Sequence, residues 1–452
     1  MNMTSSIIDS QFFGSAFGDP AVHRIFTDEG RFSSWLTVEA ALARSQARLG
    51  LIPEAAAQSI TNAAKVENLD INRMVEEYQK VGFPILPLVH ELARCCDANS
   101  ARWIHWGATT QDVIDTGLVL QMKDAFSIIS SQLDTLISIV TNLSEKHRMT
   151  VMAGRTFQQQ AAPITFGFKA AVWLDELLRH RDRLSDVKMR ALVCQFGGAV
   201  GTLATLGDRG VDVLSELSAE LDLEEPAISW HTSRDGWAEA IIWIAMVGAT
   251  LAKIANEVAT LMRTEVDEVR EPHEPGKGGS STMPQKRNPV ACPIIMSIGN
   301  KLRESVNSQL TAMVQEHERS VSAMPLEWLV IPESFILLSG SFQQAIPMLE
   351  ELQVDKQKML NNLQIGGGLL MAEAVMMGIA PKTGRNQAHE IVFGATDKAW
   401  NKGITLREAL INDKKVTSHL TLKEIDRLID PANYTGSACN MIDRVLKKVD
   451  HE

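Results

Sequence analysis

The stretch from Leu118 to His147 constrains the fold more than any other part of this sequence, because it contains neither glycine nor proline. Its apolar residues recur every three or four positions, which is the spacing of one face of an α-helix. These residues are Met122, Phe126, Ile129, Leu133, Leu136, Val140 and Leu143. At a rise of about 1.5 Å per residue, the predicted helix is roughly 45 Å long.

Four further stretches show the same helical pattern, and several are predicted to be long. They cover Pro163 to about Cys194, Trp237 to Met262, the residues after Pro289, and Trp328 to about Leu360. A helix is also predicted from Phe32 to Leu49, and the segment VGFPILP (Val81–Pro87) is predicted to be a loop. Period-two strand patterns are rare. The sequence therefore predicts an all-α fold with a central bundle of long helices.

The chain has 452 residues, which is too many for one simple core, so we predict three domains. An N-terminal helical domain is predicted for 1–116 and the long-helix bundle for 117–365. A smaller helical C-terminal domain is predicted for 366–452, where Gly366-Gly367-Gly368 marks the boundary.

Composition and charge indicate which binding partners and which cellular compartment to expect for this protein. The net charge of −11 argues against nucleic acid or an anionic membrane as the main partner. The N-terminus lacks the basic start and apolar core of a signal peptide. The apolar window Ala240–Ala252 is too short to span a bilayer, so we interpret it as a buried helix. The five cysteines include no CxxC or metal-type spacing, which favours reduced thiols in a cytoplasm. We expect no metal and no organic cofactor.

One glycine-rich segment, GKGGSSTMPQKRNP (Gly276–Pro289), carries a local excess of positive charge. It contains two lysines and one arginine and no acidic residue. Glycines allow a backbone to bring N–H groups and small side chains close to a ligand. The segment therefore predicts a mobile loop that closes over a small polyanion.

Two polar motifs flank the predicted Leu118–His147 helix. HWGATTQD (105–112) precedes it, and GRTFQQQAAP (154–163) follows it. A helix of this length keeps the two motifs of one chain apart, so they can share a site only if helices of different subunits run antiparallel past each other. We therefore expect an oligomer whose active sites lie at subunit interfaces.

The segment GSSTMPQKRNP (279–289) resembles the signature loop of the fumarase/aspartase superfamily, written GSSxMPxKxN, at every fixed position. The two polar motifs, QFGGAVGTLATLG (195–207) and QEHERS (315–320) also resemble segments of that family. The resemblance implies a three-domain, almost all-α subunit whose central helices assemble into a homotetramer. It also implies active sites built from three chains. The implied chemistry is reversible β-elimination or the related lactonisation of a carboxymuconate.

Two departures indicate the branch of the family. Adenylosuccinate lyases carry a histidine after GRT, where this chain has Phe157, and a His-Asp pair near VGFPILP, where it has no histidine. A phenyl ring cannot donate a proton to a departing amine. The chain more closely resembles 3-carboxy-cis,cis-muconate cycloisomerases, which have a bulky aromatic residue after GRT. It also resembles them in the segments HWGAT and WHT-x-RD (230–235). That likeness implies formation of 4-carboxymuconolactone in protocatechuate catabolism. The alternatives are a C–N or C–O lyase of the same superfamily that releases fumarate or a relative from a substituted succinate, and a non-catalytic structural member.

The resemblance also implies roles for individual residues. Ser280 is the expected acid/base, with Ser281 as the fallback, and Lys286 stabilises the developing carboxylate charge. His231 is a candidate acid, although a structural role is the alternative. The expected substrate contacts are His105, Thr109, Thr110, Gln111, Asp112, Thr156, Gln158, Gln159, Asn288, Arg287 and Arg319. Helix capping is the alternative role of residues 109–112, and a structural role is the alternative for Arg287.

Overall fold

The computed structural model describes residues 6–272, 278–279 and 282–449, and this part of the chain is mainly helical. The first helices are α1 (Gly14–Phe17), α2 (Pro20–Ile25), α3 (Asp28–Arg48), α4 (Glu54–Ala63), α5 (Ile71–Val81), α6 (Ile85–Arg94), α7 (Ala98–Ala101), α8 (Thr110–Lys146), α9 (Phe166–Ala191) and α10 (Gly210–Leu221). The remaining helices are α11 (Asp235–Leu261), α12 (Ala291–Ala312), α13 (Ala323–Glu350), α14 (Lys356–Asn362), α15 (Ala372–Thr383), α16 (Arg385–Lys402), α17 (Leu406–Ile411), α18 (Lys414–Thr417), α19 (Leu422–Leu428) and α20 (Ala438–Val449).

In the part of the chain that the structure describes, four short strands form two antiparallel pairs. Strand β1 (Val151–Thr156) pairs with β2 (Gln159–Thr165), and β3 (Val269–Arg270) pairs with β4 (Gln353–Val354). The all-α fold class is therefore confirmed, with a β-hairpin inserted between α8 and α9.

The five long helices predicted from periodicity correspond to α8, α9, α11, α12 and α13, although their bounds differ from those predicted. Pro163 lies in β2, so the second long helix begins three residues later, at Phe166. The predicted helix from Trp328 to Leu360 is interrupted by β4, which separates α13 from α14. The prediction of a loop over Val81–Pro87 is wrong, because α5 ends at Val81 and α6 begins at Ile85. Proline is tolerated in the first turn of a helix, where its missing N–H is not needed.

The apolar face of α8 forms part of the core, as its spacing predicts. Met122, Phe126, Ile129 and Leu133 are all fully buried. The Phe126 ring meets those of Trp243 and Phe335 edge-on, at centroid distances of 5.9 and 4.8 Å. Burial of each large apolar side chain contributes about 1.5–3 kcal/mol. These contacts fix the helix that carries the first polar motif.

The chain divides into two compact units, each built from three segments. The first unit combines Met1–Asp134, His180–Ala252 and Ile294–Gln344. The second combines Thr135–Arg179, Lys253–Pro293 and Ala345–Glu452. In the second unit, α15 to α19 enclose a core of their own, which includes Val375, Ile379, Val392, Ala395, Leu410 and Ile425. The division into three sequence domains at 116 and 365 stays a prediction.

Two helices in the described part of the chain, α11 and α13, are long and apolar enough to cross a membrane by composition. In each, most of the apolar window is buried by the rest of the chain, 67% in α11 and 61% in α13. Core helices of globular proteins have the same character, and the interpretation of Ala240–Ala252 as a buried helix agrees with it.

Candidate active site

His105 lies in the loop before α8 and is held by α3. Its Nδ1 lies 2.6 Å from a carboxylate oxygen of Glu39, and its backbone N–H donates to the other oxygen at 3.1 Å. Its φ of 59° lies in the left-handed region that L-residues rarely adopt. Burial lowers the pKa of His105, but the charges of Glu39 and Asp112 and the hydrogen bond to Glu39 outweigh burial, so the pKa is raised.

The carboxylate of Asp112 is the centre of a buried group of hydrogen bonds that we call the Asp112 cluster. Its oxygens accept the backbone N–H groups of Thr109, Gly197 and Gly198, each at 2.9 Å. The same carboxylate lies 2.7 Å from Nε2 of His231. Asp112 is only 1% exposed and lies in the first turn of α8, where its bond to Thr109 caps the helix. The cluster therefore joins the first polar motif to the QFGG segment and to the WHT segment.

His231 is buried inside this cluster. While Nε2 faces Asp112, Nδ1 lies 3.1 Å from the hydroxyl of Ser229. The side chain is 3% exposed. Because both ring nitrogens already have protein partners, His231 can exchange a proton with a substrate only after one of these bonds breaks. Its catalytic role stays a prediction.

Gln111 and Arg319 meet beside the Asp112 cluster. Nε of Arg319 donates to Oε1 of Gln111 at 3.0 Å. Nε2 of Gln111 donates to the carbonyl of His231 at 2.9 Å and to the Asp115 carboxylate at 3.1 Å. One terminal nitrogen of Arg319, Nη2, is buried and has no hydrogen-bond partner among the described residues. The hydrogen bond from Nε to Gln111 orients the guanidinium of Arg319. Its Nη2 remains as an unused hydrogen-bond donor that could bind an anion.

Arg234 forms a second buried charge cluster that adjoins the first. Its guanidinium binds Asp115 at 2.7 and 3.1 Å, and Glu327 at a shortest distance of 2.7 Å. The side chain is fully buried, and the guanidinium lies over the rings of Trp230 and Trp237, 4.9 and 4.0 Å from their centroids. Burial opposes its charge, but the two carboxylates raise the pKa of Arg234. Because Asp115 also accepts from Gln111, this cluster supports the residue that orients Arg319.

Sequence reasoning assigned no role to Asp115, Glu327 or Glu39. The available signal was the presence of acidic residues within strongly apolar helices, where a buried charge requires a partner. The partners lie far away in sequence: Arg234 is separated from Asp115 by 119 residues. Periodicity alone cannot identify such a pair.

In the second unit, the GRTFQQQ motif forms the end of the β1–β2 hairpin. Thr156 pairs with Gln159, and the two residues of the turn, Phe157 and Gln158, have φ angles of 49° and 65°. Two positive φ angles are typical of the tight turns that suit the twist of a hairpin. All four side chains are exposed, and Phe157 is 99% exposed. The predicted substrate contacts at the end of the hairpin are therefore exposed at the surface.

The hairpin is anchored next to its turn by a buried ion pair. Arg155 binds Glu268 through two nitrogens, at 2.7 and 3.0 Å, and Glu268 is fully buried. Glu268 also accepts from Nδ2 of Asn362 at 2.8 Å. The strand that precedes the tip is therefore fixed to the segment that enters the glycine-rich loop.

The described part of the glycine-rich loop is closed by backbone contacts. Gly279 forms a β-bridge with Arg287, and the backbone N–H of Asn288 donates to the Gly278 carbonyl at 3.0 Å. Lys286 and Arg287 are exposed, while Asn288 is partly buried. Both predicted acid/base serines, Ser280 and Ser281, lie outside the described residues.

Glu271 fixes the end of this loop at the start of α12. Its carboxylate accepts the backbone N–H groups of Val290, Ala291 and Cys292 at 2.7 to 3.1 Å. A negative charge at a helix N-terminus is stabilised by the unpaired N–H groups there. A polar cavity of about 420 Å³ lies beside the loop, lined by Met262, Thr264, Asp267, Arg270, Glu271, Pro272, Gln285, Arg287, Asn288, Val290 and Gln353.

Within residues 6–272, 278–279 and 282–449, no three His, Cys, Asp or Glu side chains are grouped as metal ligands. Burial raises the pKa of the Cys194 thiol to about 12, and it also raises that of Cys292. Thiols of this kind are poor nucleophiles and poor ligands.

A family described as "Lyase" matches residues 17–303, and one described as "Adenylosuccinate lyase C-terminus" matches 368–445. A 3-carboxy-cis,cis-muconate cycloisomerase of Pseudomonas aeruginosa is 40% identical over 98% of this chain and 97% of its own length. An N-acetyl-S-(2-succino)cysteine lyase of Dickeya dadantii is 36% identical over 99% of this chain and 98% of its own length.

Among solved structures, a 3-carboxy-cis,cis-muconate lactonizing enzyme from Pseudomonas putida superposes with a TM-score of 0.93 at 38% identity. The match covers 98% of this chain and 99% of the other.

Proposed function

The chain belongs to the lyase family of the fumarase/aspartase superfamily, and from that premise we propose that it is a 3-carboxy-cis,cis-muconate cycloisomerase. The observation that carries the proposal is Phe157. It occupies the tip of the β1–β2 hairpin, where an amine-releasing relative carries a proton-donating histidine, and it is 99% exposed. Lactonisation needs no protonated amine as a leaving group, so a phenyl ring is compatible with it.

The proposed reaction is an isomerisation when the substrate and the lactone are both written as neutral acids. Between the ionised forms it takes up a proton from solvent, because a carboxylate becomes an ester and a C–H bond forms. One carboxylate oxygen of the substrate attacks an alkene carbon and forms the ring C–O bond. The electron pair of the alkene moves toward the neighbouring carboxylate, which becomes a dianionic aci-carboxylate. A proton is then delivered to the carbon beside that carboxylate. Stabilising the dianion is the main task, and donors placed at such a charge contribute about 3–4 kcal/mol each.

We assign that task to the loop and to the two polar motifs. Lys286 and Asn288 bind the developing charge, with Arg287 beside them, and Ser280 delivers the proton, with Ser281 as the alternative. Arg319, His105, Thr109, Thr110 and Gln111 bind the remaining carboxylates, together with Thr156, Gln158 and Gln159 from a hairpin. The contacts of Asp112 and His231 are internal, which supports a positioning role for both in the first motif. A substrate contact of Asp112 and the acid role of His231 stay predictions.

The proposal includes a homotetramer with active sites shared between subunits. The support is a hairpin whose exposed end carries polar residues and an aromatic ring, as an inter-subunit contact requires. The proposal further includes a cytoplasmic enzyme of protocatechuate catabolism, in the β-ketoadipate pathway, that uses no cofactor. Measurement of mass in solution by light scattering tests the assembly, and a fully active monomer would refute it.

One alternative is favoured by a specific observation. A lyase that acts on a substituted succinate can operate without a histidine acid if its leaving group departs as a stable anion. A thiolate meets this condition, because a thiol has a pKa of about 8.5. The 36% identity to the N-acetyl-S-(2-succino)cysteine lyase makes such a substrate the second candidate.

Ultraviolet absorbance separates the two candidates. The purified protein is mixed with 3-carboxy-cis,cis-muconate and, separately, with S-(2-succino)-N-acetylcysteine. We expect loss of the muconate chromophore in the first mixture and no appearance of fumarate in the second. The reverse result would replace the first proposal by the second. Ser280→Ala tests the acid/base assignment in either case, and wild-type activity in that variant would exclude Ser280.

A further inference from the structure

Glu39 is a buried carboxylate that faces one of the predicted substrate contacts. It lies on α3 and is 1% exposed. Both of its oxygens are bonded to His105, one to the ring Nδ1 at 2.6 Å and one to the backbone N–H at 3.1 Å. Among the described ion pairs, that with His105 is the one in which Glu39 takes part. A buried carboxylate is strongly unfavourable without a cation beside it, so the imidazolium of His105 is its natural counter-charge.

The surroundings of the ring favour the same charge state. The charged groups that face His105 are Glu39, from α3, and Asp112, from α8, and both are negative. The raised pKa of His105 agrees with this arrangement. The loop is also fixed from α3 at a second point, because Nε2 of Gln46 donates to the carbonyl of Trp106 at 2.7 Å. Glu39 and Gln46 are seven residues apart and therefore lie on one face of α3.

The arrangement leaves one donor of His105 unused. Its Nδ1 faces Glu39, whereas Nε2 has no hydrogen-bond partner among the described residues. The side chain is 21% exposed, so this edge of the ring is open to a ligand. An imidazolium with one nitrogen held by a buried carboxylate presents the other N–H in a fixed direction.

We propose that Glu39 is a positioning residue: its buried carboxylate keeps His105 cationic and aims Nε2–H at a carboxylate of the substrate. This rests on the proposed function only in that the site binds a polycarboxylate. Because the pKa of His105 is raised, the cation is present below that pKa, and carboxylate binding is lost as the pH rises through it. The pKa of an ordinary histidine is about 6.5, so the loss falls above that value.

The test compares Glu39→Gln with the wild type by titration calorimetry. The probe is propane-1,2,3-tricarboxylate, which has no alkene and cannot react. Binding is measured from about pH 6 to about pH 9 in buffers of different ionisation enthalpy, which reveals proton uptake. Wild-type binding should weaken with rising pH and be accompanied by proton uptake. In Glu39→Gln the midpoint should fall by about one pH unit or more, which weakens binding about tenfold or more above both midpoints.

Two further variants make the result specific. Glu91→Gln removes another buried carboxylate, which is 3% exposed and pairs with Arg73 and Arg94, and it should leave the wild-type pH profile unchanged. His105→Gln should remove the proton uptake. A Glu39→Gln profile identical to the wild type, or proton uptake that persists in His105→Gln, would overturn the proposal. If Glu39→Gln does not fold, proton uptake that persists in His105→Gln still overturns the proposal.

The experiment also separates this inference from the proposed reaction. If the wild type binds the tricarboxylate with the expected pH profile but does not turn over 3-carboxymuconate, the proposed reaction is refuted. The positioning role of Glu39 is then still supported. If the wild type turns over the muconate but binds the tricarboxylate too weakly to measure, the same comparison is made on the pH profile of kcat/KM. If the wild type turns over the muconate and Glu39→Gln has the same pH profile as the wild type, only the positioning role of Glu39 is refuted.

Discussion

The Asp112 cluster and the β1–β2 hairpin carry equally polar motifs but use them in opposite ways. Asp112 and His231 are 1% and 3% exposed, and their polar atoms are bonded within the chain. Thr156, Gln158 and Gln159 are exposed. A buried polar group with satisfied bonds fixes the backbone around it, whereas an exposed one can bind another molecule. The two regions thus differ in whether their polar side chains are free to meet another molecule, and their sequences alone do not show this difference.

The largest expected effect is on stability, from Arg234→Met. This variant leaves Asp115 and Glu327 buried without their cation, which typically costs about 3–5 kcal/mol of unfolding free energy. Denaturant unfolding measures it. The matched control is Arg190→Met, because Arg190 pairs with Glu239 on the surface, where both side chains are more than a third exposed. It should change stability by less than about 1 kcal/mol. If both variants lose the same unfolding free energy, the buried ion pairs of Arg234 contribute no more to stability than the exposed pair of Arg190.

Lys286→Met is expected to lower kcat by about 10²–10³-fold, because it removes the cation that is proposed to stabilise the developing carboxylate charge. Lys286 is exposed, so unfolding free energy should stay within about 0.5 kcal/mol of the wild type. Steady-state kinetics and denaturant unfolding on the same preparation test both statements. Lys301→Met, in the exposed part of α12, is the control and should be active. Full activity in Lys286→Met would exclude it from the site.

Asp112→Asn is expected to destabilise the protein by about 1–3 kcal/mol, since an amide cannot accept all the N–H groups that converge there. The kinetic effect should follow from a displaced loop and appear mainly in KM. Asp208→Asn, at an exposed position, is the control. Unchanged stability in Asp112→Asn with a large loss of kcat would mean that Asp112 acts on the substrate directly.

The smallest expected effect on stability is that of Phe157→Ser, within about 0.5 kcal/mol, because the ring is 99% exposed. Activity should nevertheless fall by about tenfold or more if the ring lines a site in another subunit, since an aromatic contact in a buried site contributes on the order of 1.5 kcal/mol or more. Phe393→Ser, on α16 and 64% exposed, should leave kcat/KM unchanged. A Phe157→Ser variant with wild-type kcat/KM would remove the hairpin tip from the proposed site.

Sequence periodicity was sufficient for the helices that build the fold. The buried positions of α8, from Met122 to Leu133, follow the predicted spacing. The prediction failed where a local signal was ambiguous. Proline in VGFPILP indicates a loop, but Pro87 lies within the first turn of α6. The break between α13 and α14 depends on the pairing of β4 with β3, which is a long-range contact.

For the candidate site, sequence motifs gave the residues but not their partners. His105 was a candidate because it belongs to the first motif, whereas Glu39 lies 66 residues away and has no motif. Ser229 likewise became visible only through its contact with His231. A hydrogen bond between distant residues depends on packing, so it leaves no local pattern in the chain. The roles assigned to the site residues stay predictions.

The two residues at the hairpin turn have a consequence for protein engineering. Asn-Gly is the pair that a turn with two positive φ angles favours, because these residues adopt that conformation with little strain. This chain instead places phenylalanine and glutamine there. Selection of variants for heat resistance alone would therefore enrich Phe157→Asn and Gln158→Gly, and the more stable hairpins would lack the aromatic ring. A search for stable forms of this protein has to screen activity alongside melting temperature.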